Sequence, residues 1–447
     1  MTSLSGPFVL EKTNTDRLVV GTDDVLHTIY VQGDRPGSTP SIRYTISSDR
    51  GLSWSPPVTL ASGTSPTLAV DGNGNLGLAF VGSPYGPAGS PQSGAIYYLS
   101  KTPNGGWSAT SKVVDSGAMP TLAGYGSNMH LAWVSHPVKY HTFPTLTPPA
   151  VPLNILQGED IQLVLLCGIH QWDVPSIAVA PRDAAGTLPP IVRVALYQSS
   201  DLRSFCGGYL TAGVAIYERP QNPLPLQPWT LVLQDLNETN DPAFTNYGRV
   251  SVSLTANRIS SNFYAFYSDV WNGDRVRLAR ITSAGSRAIH DFVAVTGGLR
   301  ALTDINALGA PNGDSVKIGY SPIASSYNST WVRTLTWTSI ASTPTLGTAK
   351  LLSNKGRNAN VVYFERATTG GTQGLNAIFE VESATATYSL QNDYFKPLPG
   401  VSCSDLADTV CRTPGATREC RNEFGELGTC QCLGSGRLST WSCFLYL

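Results

Sequence analysis

Short apolar runs, each closed by a cluster of Gly, Asn, Asp or Pro, recur along the chain as far as Gly400. Their lengths and flanks suit strands joined by turns rather than amphipathic helices. Three stretches align with one another. Ser65-Pro66-Thr67-Leu68-Ala69-Val70 leads through the turn Asp71-Gly72-Asn73-Gly74-Asn75 into Leu76–Val81. Met119-Pro120-Thr121-Leu122-Ala123 leads through a Gly/Ser turn into Met129–Val134. Val174-Pro175-Ser176-Ile177-Ala178-Val179 precedes Ile191–Tyr197. Pro66, Pro120 and Pro175 recur at a period of about 54 residues, which marks a repeat architecture.

A second half of the repeat is also visible. Ile42-Arg43-Tyr44 runs into Ser47 and Trp54, and Ala95-Ile96-Tyr97 runs into Ser100 and Trp107. Fainter copies follow at 248–254, 263–268 and 276–281, at 304–308, 316–320 and 331–336, and at 360–365 and 375–381. With Arg17–Val20 and Val25–Val31 as the first copy, there are seven. Each reads as a four-stranded antiparallel unit, so the first 400 residues are predicted to form an all-β, seven-bladed β-propeller.

The stretch Ser47-Ser48-Asp49-Arg50-Gly51-Leu52-Ser53-Trp54 has the form S-x-D-x-G-x-x-W. It resembles the Asp-box, or BNR repeat, of sialidase-like β-propellers. The resemblance implies a tight turn between a blade's third and fourth strands and a Trp packed between neighbouring blades. Ser100–Trp107 has the same frame without the Asp. Sialidase chemistry itself is not implied. Arg17-Leu18-Val19 and Gln32-Gly33-Asp34-Arg35 only echo the family's arginines, Pro36–Ser41 holds no carboxylate to act as the acid, and Tyr267-Ser268-Asp269 lacks a matching Glu and Arg triad.

Composition agrees with the strand reading: 43 Gly, 31 Pro and 14% charged residues, with abundant Ser, Thr, Val and Tyr. Thirty Lys plus Arg against 31 Asp plus Glu give no electrostatic footprint for nucleic acid. The longest apolar runs are too short to span a bilayer, so no membrane insertion is expected. Eight Cys are present, and Cys403, Cys411, Cys420, Cys430, Cys432 and Cys443 crowd the tail. Residues 401–447 are therefore predicted to be a disulfide-stapled module made in an oxidising compartment, and the protein to be secreted. Cys167 and Cys206 are expected to pair. The absence of a basic segment followed by an apolar core at the start suggests numbering from a mature chain.

Alternate connections of a meandering blade fall on opposite faces. The short turns Asp71–Asn75 and Ser47–Trp54 share one face. The other face collects longer segments, expected at 82–94, 135–157, 198–208, 235–248, 268–275 and 321–330. The Pro/Leu-rich 144–158 is expected as an insertion in the third blade.

The third to fifth blades bring His136, Tyr140, Trp172, Asp173, Asp201, Asp269, Trp271 and Arg275 to that longer-looped face as ligand-binding candidates. Aromatic rings stack on the apolar face of a sugar while charged groups fork onto its hydroxyls. The leading expectation is lectin-like recognition of a glycan. The alternative is a polysaccharide lyase or glycoside hydrolase acting on a uronate-containing glycan, with His170, Tyr197, Arg203 and His141 as catalytic groups. A protein-interaction platform is the third reading. His130, inside a strand pattern, reads as a core histidine. No cofactor or metal is called for: Asp71–Asn75 lacks the distal Glu of a calcium loop and fits an ordinary turn better, and a divalent cation would find its ligands among His130, His136, His141 and His170.

Overall fold

A computed structural model of the protein describes residues 4–6, 17–21, 25–32, 39–49, 53–83, 94–135, 138–153, 159–161, 169–170, 174–182, 189–201, 210–219, 229–239, 252–256, 261–269, 275–282, 285–292, 302–309, 315–322, 330–337, 344–347, 350–353, 356–363, 375–382, 388–395, 417–421, 427–433 and 440–445. Every regular element among them is a β-strand. The backbone divides into two compact units, Met1–Val362 with Ala377–Asn392, and Tyr363–Asn376 with Asp393–Leu447.

The first unit is a succession of antiparallel meanders. After β1 (Leu4–Gly6), sheet 1 comprises β2 (Leu18–Val20), β3 (Leu26–Gln32), β4 (Ser41–Ser47) and the start of β5 (Val58–Val70). Sheet 2 takes the remainder of β5 with β6 (Leu76–Gly82), β7 (Ile96–Lys101) and β8 (Ser111–Val114). Sheet 3 is β9 (Ala118–Tyr125), β10 (Asn128–Val134), β11 (Lys139–Pro144) and β12 (Glu159–Asp160). Sheet 4 holds β13 (Ile169–His170), β14 (Val174–Ala180), β15 (Ile191–Asp201), β16 (Leu210–Glu218) and β17 (Thr230–Thr239).

Sheet 5 is β18 (Val252–Ala256), β19 (Phe263–Asp269), β20 (Arg275–Ile281) and β21 (Arg287–Phe292). Sheet 6 is β22 (Leu302–Gly309), β23 (Ser315–Pro322) and β24 (Thr330–Thr336), bordered by β25 (Thr345–Leu346) and β26 (Lys350–Ser353). In sheet 7, β27 (Gly356–Tyr363), β28 (Leu375–Glu382) and β29 (Tyr388–Phe395) take β1 as their fourth strand, with Leu4 opposite Leu390. The first strands β2, β5, β9, β14, β18 and β22 lie against one another in chain order.

The cores lie between sheets. Met129, Leu131 and Trp133 of β10 join Ala79, Ile96 and Tyr98 of sheet 2. Ala132, between Leu131 and Trp133, joins Ile177, Val179 and Val194 of sheet 4. Both faces of a middle strand are thus buried, which is why these strands read as nearly continuous apolar runs. Sheets 1 and 2 share a cluster around Ile29, Leu78 and Phe80, and sheets 4 and 5 one around Ala195, Ile216 and Phe263.

Two of the three repeated prolines mark a bulge, whereas Pro175 stands in an unbroken register opposite Leu196. Ser65-Pro66 stands as a bulge against the single residue Phe80, and Met119-Pro120 does the same against Trp133. Ser65 and Met119 sit at φ 50° and 48°, in the left-handed region. Two residues earlier a Cβ would meet a Phe80 ring carbon at 2.5 Å on Gly63 and Trp133 Cδ1 at 2.5 Å on Gly117, so both positions must be glycine. The hydroxyl after the proline links sheets: Thr67 Oγ1 accepts from Leu122 N at 3.3 Å, and Ser176 Oγ accepts from Leu254 N at 2.9 Å.

Residues 145–153 continue from β11 across to sheet 2. Leu153 N donates to Val113 O (2.8 Å) and Asp115 N to Leu153 O (3.0 Å), covering the outer edge of β8. The segment expected as one loop over 135–157 therefore contains a strand, β11, and β15 runs on to Asp201 where a loop from 198 was expected. In the second unit, β30 (Thr417–Arg421), β31 (Leu427–Leu433) and β32 (Thr440–Leu445) form a three-stranded antiparallel sheet.

Candidate functional site

The turns at one edge of the sheets are consumed by their own hydrogen bonds. Asp71 Oδ1 accepts from the backbone of Asn73 (2.8 Å) and Asn75 (2.9 Å), and Oδ2 from Asn75 Nδ2 (2.9 Å). Gly72 N then donates to Gly126 O of the next sheet at 2.6 Å. At the turn between β4 and β5, Asp49 Oδ1 accepts from Ser47 Oγ (2.7 Å) and Ser53 N (2.8 Å). Ser53 Oγ donates to Oδ2 (2.5 Å), and this hydroxyl first, then Ser53 N and Ser47 Oγ, holds the Asp49 carboxyl down at about 2. Carboxylates so engaged are structural.

Aromatic side chains tie successive sheets at the same edge. Trp107 of sheet 2 stands edge-on to Tyr44 of sheet 1 at 5.1 Å, Trp229 of sheet 4 to Tyr140 of sheet 3 at 5.0 Å, and Trp337 of sheet 6 lies tilted on Tyr264 of sheet 5 at 5.0 Å. Each Trp comes from the connection between third and fourth strands. Two of the tyrosines carry a histidine: His27 Nδ1 with Tyr44 OH, and His130 Nδ1 with Tyr140 OH, both at 2.7 Å.

His130 is buried, as its place in the strand pattern implied. Burial, aided by Arg219, lowers its pKa to about 4. Arg219 Nη1 donates to the Tyr140 oxygen (3.4 Å), the same hydroxyl that pairs with His130 Nδ1. Arg193 closes the edge between sheets 4 and 5, with Nε and Nη2 on Glu218 Oε2 (2.9 and 2.6 Å) and its guanidinium 4.4 Å over the Phe263 ring.

The opposite edge carries the candidate site. Tyr267 and Arg277 are register partners in β19 and β20, close to the connection 270–274. Both reach Asp235 of β17 in sheet 4: Arg277 Nη1 lies 2.6 Å from each carboxylate oxygen, and Tyr267 OH donates to Oδ2. Tyr267 is buried, whereas Asp235 retains 13% and Arg277 23% of side-chain exposure. Asp269 and Arg275 are register partners two positions nearer the edge, on the same face by alternation. A guanidinium, a carboxylate and a phenol thus meet near the end of β19 and the start of β20.

Tyr197 and Tyr140, expected on the loop-bearing face, are 1% and 0% exposed. Tyr197 lies in the core between sheets 4 and 5 and Tyr140 is held by His130 and Trp229, because both belong to strands that outrun the expected loops. The lyase set thereby loses its tyrosine from the surface. His141 is half-buried on β11, packed on Phe143 at 6.3 Å, and burial with nearby Arg219 lowers its pKa. His170 and Asp201 are placed by backbone alone, at the joined ends of β13 and β15. His136, Trp172, Asp173, Arg203, Trp271, Cys167, Cys206, Cys403 and Cys411 lie outside the described residues. Among the described residues no cluster of His, Cys, Asp and Glu is arranged to hold a metal ion.

Asp235 and Arg277 were missed by sequence reasoning. Asp235 was assigned to the start of a loop, and Arg277 to a strand with no further role. The available signal was the Arg275-Val276-Arg277 alternation, a charge recurring on a face otherwise apolar.

Fold and site together define an all-β protein of four-stranded antiparallel sheets with a polar cluster between two of them. Solved structures to which the chain is similar include the α-L-arabinanase of Penicillium chrysogenum complexed with arabinobiose, at 11% identity over 88% of this chain and 98% of that chain, TM-score 0.41. The SapL1 lectin in complex with alpha methyl fucoside matches at 12% identity over 78% and 99%, TM-score 0.39. The intramolecular trans-sialidase from Ruminococcus gnavus matches at 11% over 85% and 94%, TM-score 0.41. No protein-family model matches the sequence, and the comparison with curated proteins finds no match.

Proposed function

We propose that the first unit is a closed seven-bladed propeller that recognises a carbohydrate at the edge where Asp235, Tyr267 and Arg277 meet. Chain-ordered packing of the first strands and the pairing of β1 with β29 support the closed form. The observation that carries the binding site is the Asp235–Arg277 pair, mostly buried yet open to solvent at its rim, backed by buried Tyr267. A fixed carboxylate and guanidinium offer paired acceptors and donors to neighbouring sugar hydroxyls, and a site on strands holds them rigid. Asp269, Trp271 and Arg275, close by along the chain, are proposed as further sugar contacts, with Trp271 as the stacking ring. Secretion through an oxidising compartment is part of the same proposal.

Binding without turnover is the expected behaviour. Glycan-array binding by the wild-type protein, loss of that binding in Asp235→Asn at unchanged circular dichroism, and no new reducing ends or unsaturated products are the expected results. Product formation on a bound glycan would instead make the protein an enzyme. Absence of binding to every glycan would favour a protein-interaction platform.

A further inference from the structure

The three-stranded sheet of the second unit has an uninterrupted antiparallel register, and that register places its cysteines. Cys430 of β31 stands directly opposite Cys443 of β32. Cys432 stands opposite Trp441, and Cys420 of β30 opposite Gly428. By alternation along the strands, Cys420, Cys430, Cys432 and Cys443 share one face of the sheet.

Six cysteines can be joined in fifteen ways. A bridge requires Cα atoms within about 7 Å. Directly opposed residues of an antiparallel pair are about 4.5 to 5.5 Å apart, and diagonal neighbours about 7 to 8 Å. Cys430 with Cys443 is the directly opposed pair. Cys432 with Cys443 and Cys420 with Cys430 are diagonals. Cys420 and Cys432 are separated by four positions along β31, about 13 Å, beyond the reach of a disulfide.

We infer that Cys430 and Cys443 form a disulfide across β31 and β32, and that Cys420 and Cys432 bridge outward, one to Cys403 and the other to Cys411. The fifteen pairings then fall to two. Each bridge forms by thiol–disulfide exchange: a cysteine thiolate attacks a low-molecular-weight disulfide such as oxidised glutathione, and the second cysteine displaces it. Two protons and two electrons leave the pair, and two thiols of the oxidant appear. The adjacent cysteines of Cys430-Gln431-Cys432 thereby do different work. One clips two strands of the sheet together, and the other ties the sheet to the segment 401–416. A sheet of three short strands needs such staples, because it has too little apolar surface of its own.

The test is thiol alkylation in denaturant, without reductant, on full-length protein secreted from an oxidising compartment. The wild type is expected to take no label on its six tail cysteines. Cys443→Ser is expected to expose one thiol, located at Cys430 by fragment ions on either side of Gln431; a label on Cys432 overturns the proposal. The double variant C430S/C443S is expected to show no free thiol, whereas labels on Cys420 and Cys432 would establish the diagonal framework instead. Should these variants fail to fold, stepwise partial reduction of the wild type decides. Labels at Cys430 and Cys443 are expected to appear together, and a joint appearance of Cys432 with Cys443 refutes the pairing.

Discussion

Trp229 meets the ring of Tyr140 edge-on, at 5.0 Å and 75°, although the two belong to successive sheets. The same contact joins Trp107 to Tyr44, and a tilted version joins Trp337 to Tyr264. Each indole is fed from the connection between third and fourth strands, so the repeat fixes where the sheets adhere. Trp229→Ala is expected to cost about 3 to 5 kcal/mol, and Trp229→Phe much less, because a phenyl ring preserves part of the edge contact. Urea denaturation followed by Trp fluorescence and circular dichroism reads both; a wild-type midpoint for Trp229→Ala would remove the contact from the list of what joins sheets 3 and 4.

Acid weakens the same junction. The folded pKa of His130 lies at about 4, below its ordinary 6.5, through burial and then the charge of Arg219. The unfolded chain therefore binds more protons between these values. The contribution of neutral His130 is complete above pH 6.5 and is lost as pH falls toward 4, by about 3 kcal/mol in all. His141 is depressed for the same reasons and adds in the same direction. Thermal midpoints from pH 7.5 to 4 are expected to fall, with a shallower fall in His130→Gln. Equal slopes for the two proteins would contradict this account.

Asp235 and Arg277 are expected to be coupled. Removing either alone leaves a half-buried charge without its partner, whereas removing both does not. A double-mutant cycle with Asp235→Ala and Arg277→Ala should return a coupling energy of about 1 to 3 kcal/mol. Additive effects within about 0.3 kcal/mol would mean that the pair is held by its surroundings rather than by its members.

The bulge at Met119 offers a gain. Met119 is exposed and sits at φ 48°, where a side chain costs about 1 to 2 kcal/mol. Met119→Gly should therefore be more stable than Met119→Ala by about 1 kcal/mol. Gly117→Ala, two residues earlier, should do the reverse, because its Cβ would stand 2.5 Å from Trp133 Cδ1. Denaturation midpoints of the three variants test the pair, and a Gly117→Ala protein of wild-type stability would show that Trp133 can move.

Much of the strand order was legible in the sequence because the repeat is written in backbone requirements. The two Pro-Thr-Leu triplets mark bulges, and the hydroxyls of Thr67 and of Ser176 in Pro-Ser-Ile bond across to the next sheet, although Pro175 itself stands in an unbroken register. The fainter copies at 263–268 and 276–281 also fall within strands, β19 and β20. The candidate site was less legible, for the opposite reason. Asp235 lies in sheet 4 and Tyr267 and Arg277 in sheet 5, so nothing local in either segment announces the other. Tyr140 and Tyr197 misled because a tyrosine near a loop reads as a surface residue until its strand is known to be buried on both faces.

The pairing of β1 with β29 bears on the order in which the chain can fold. Leu4 is made well before its partner Leu390, which follows nearly every other strand of the first unit. Sheets built from neighbouring segments can form while translation proceeds, but the seventh must wait, leaving the edge of β29 open until β1 returns to it. A protein lacking Leu4–Gly6 should therefore complete most of its strands and then present an unpaired edge to its own copies, a route to association that β1 seals.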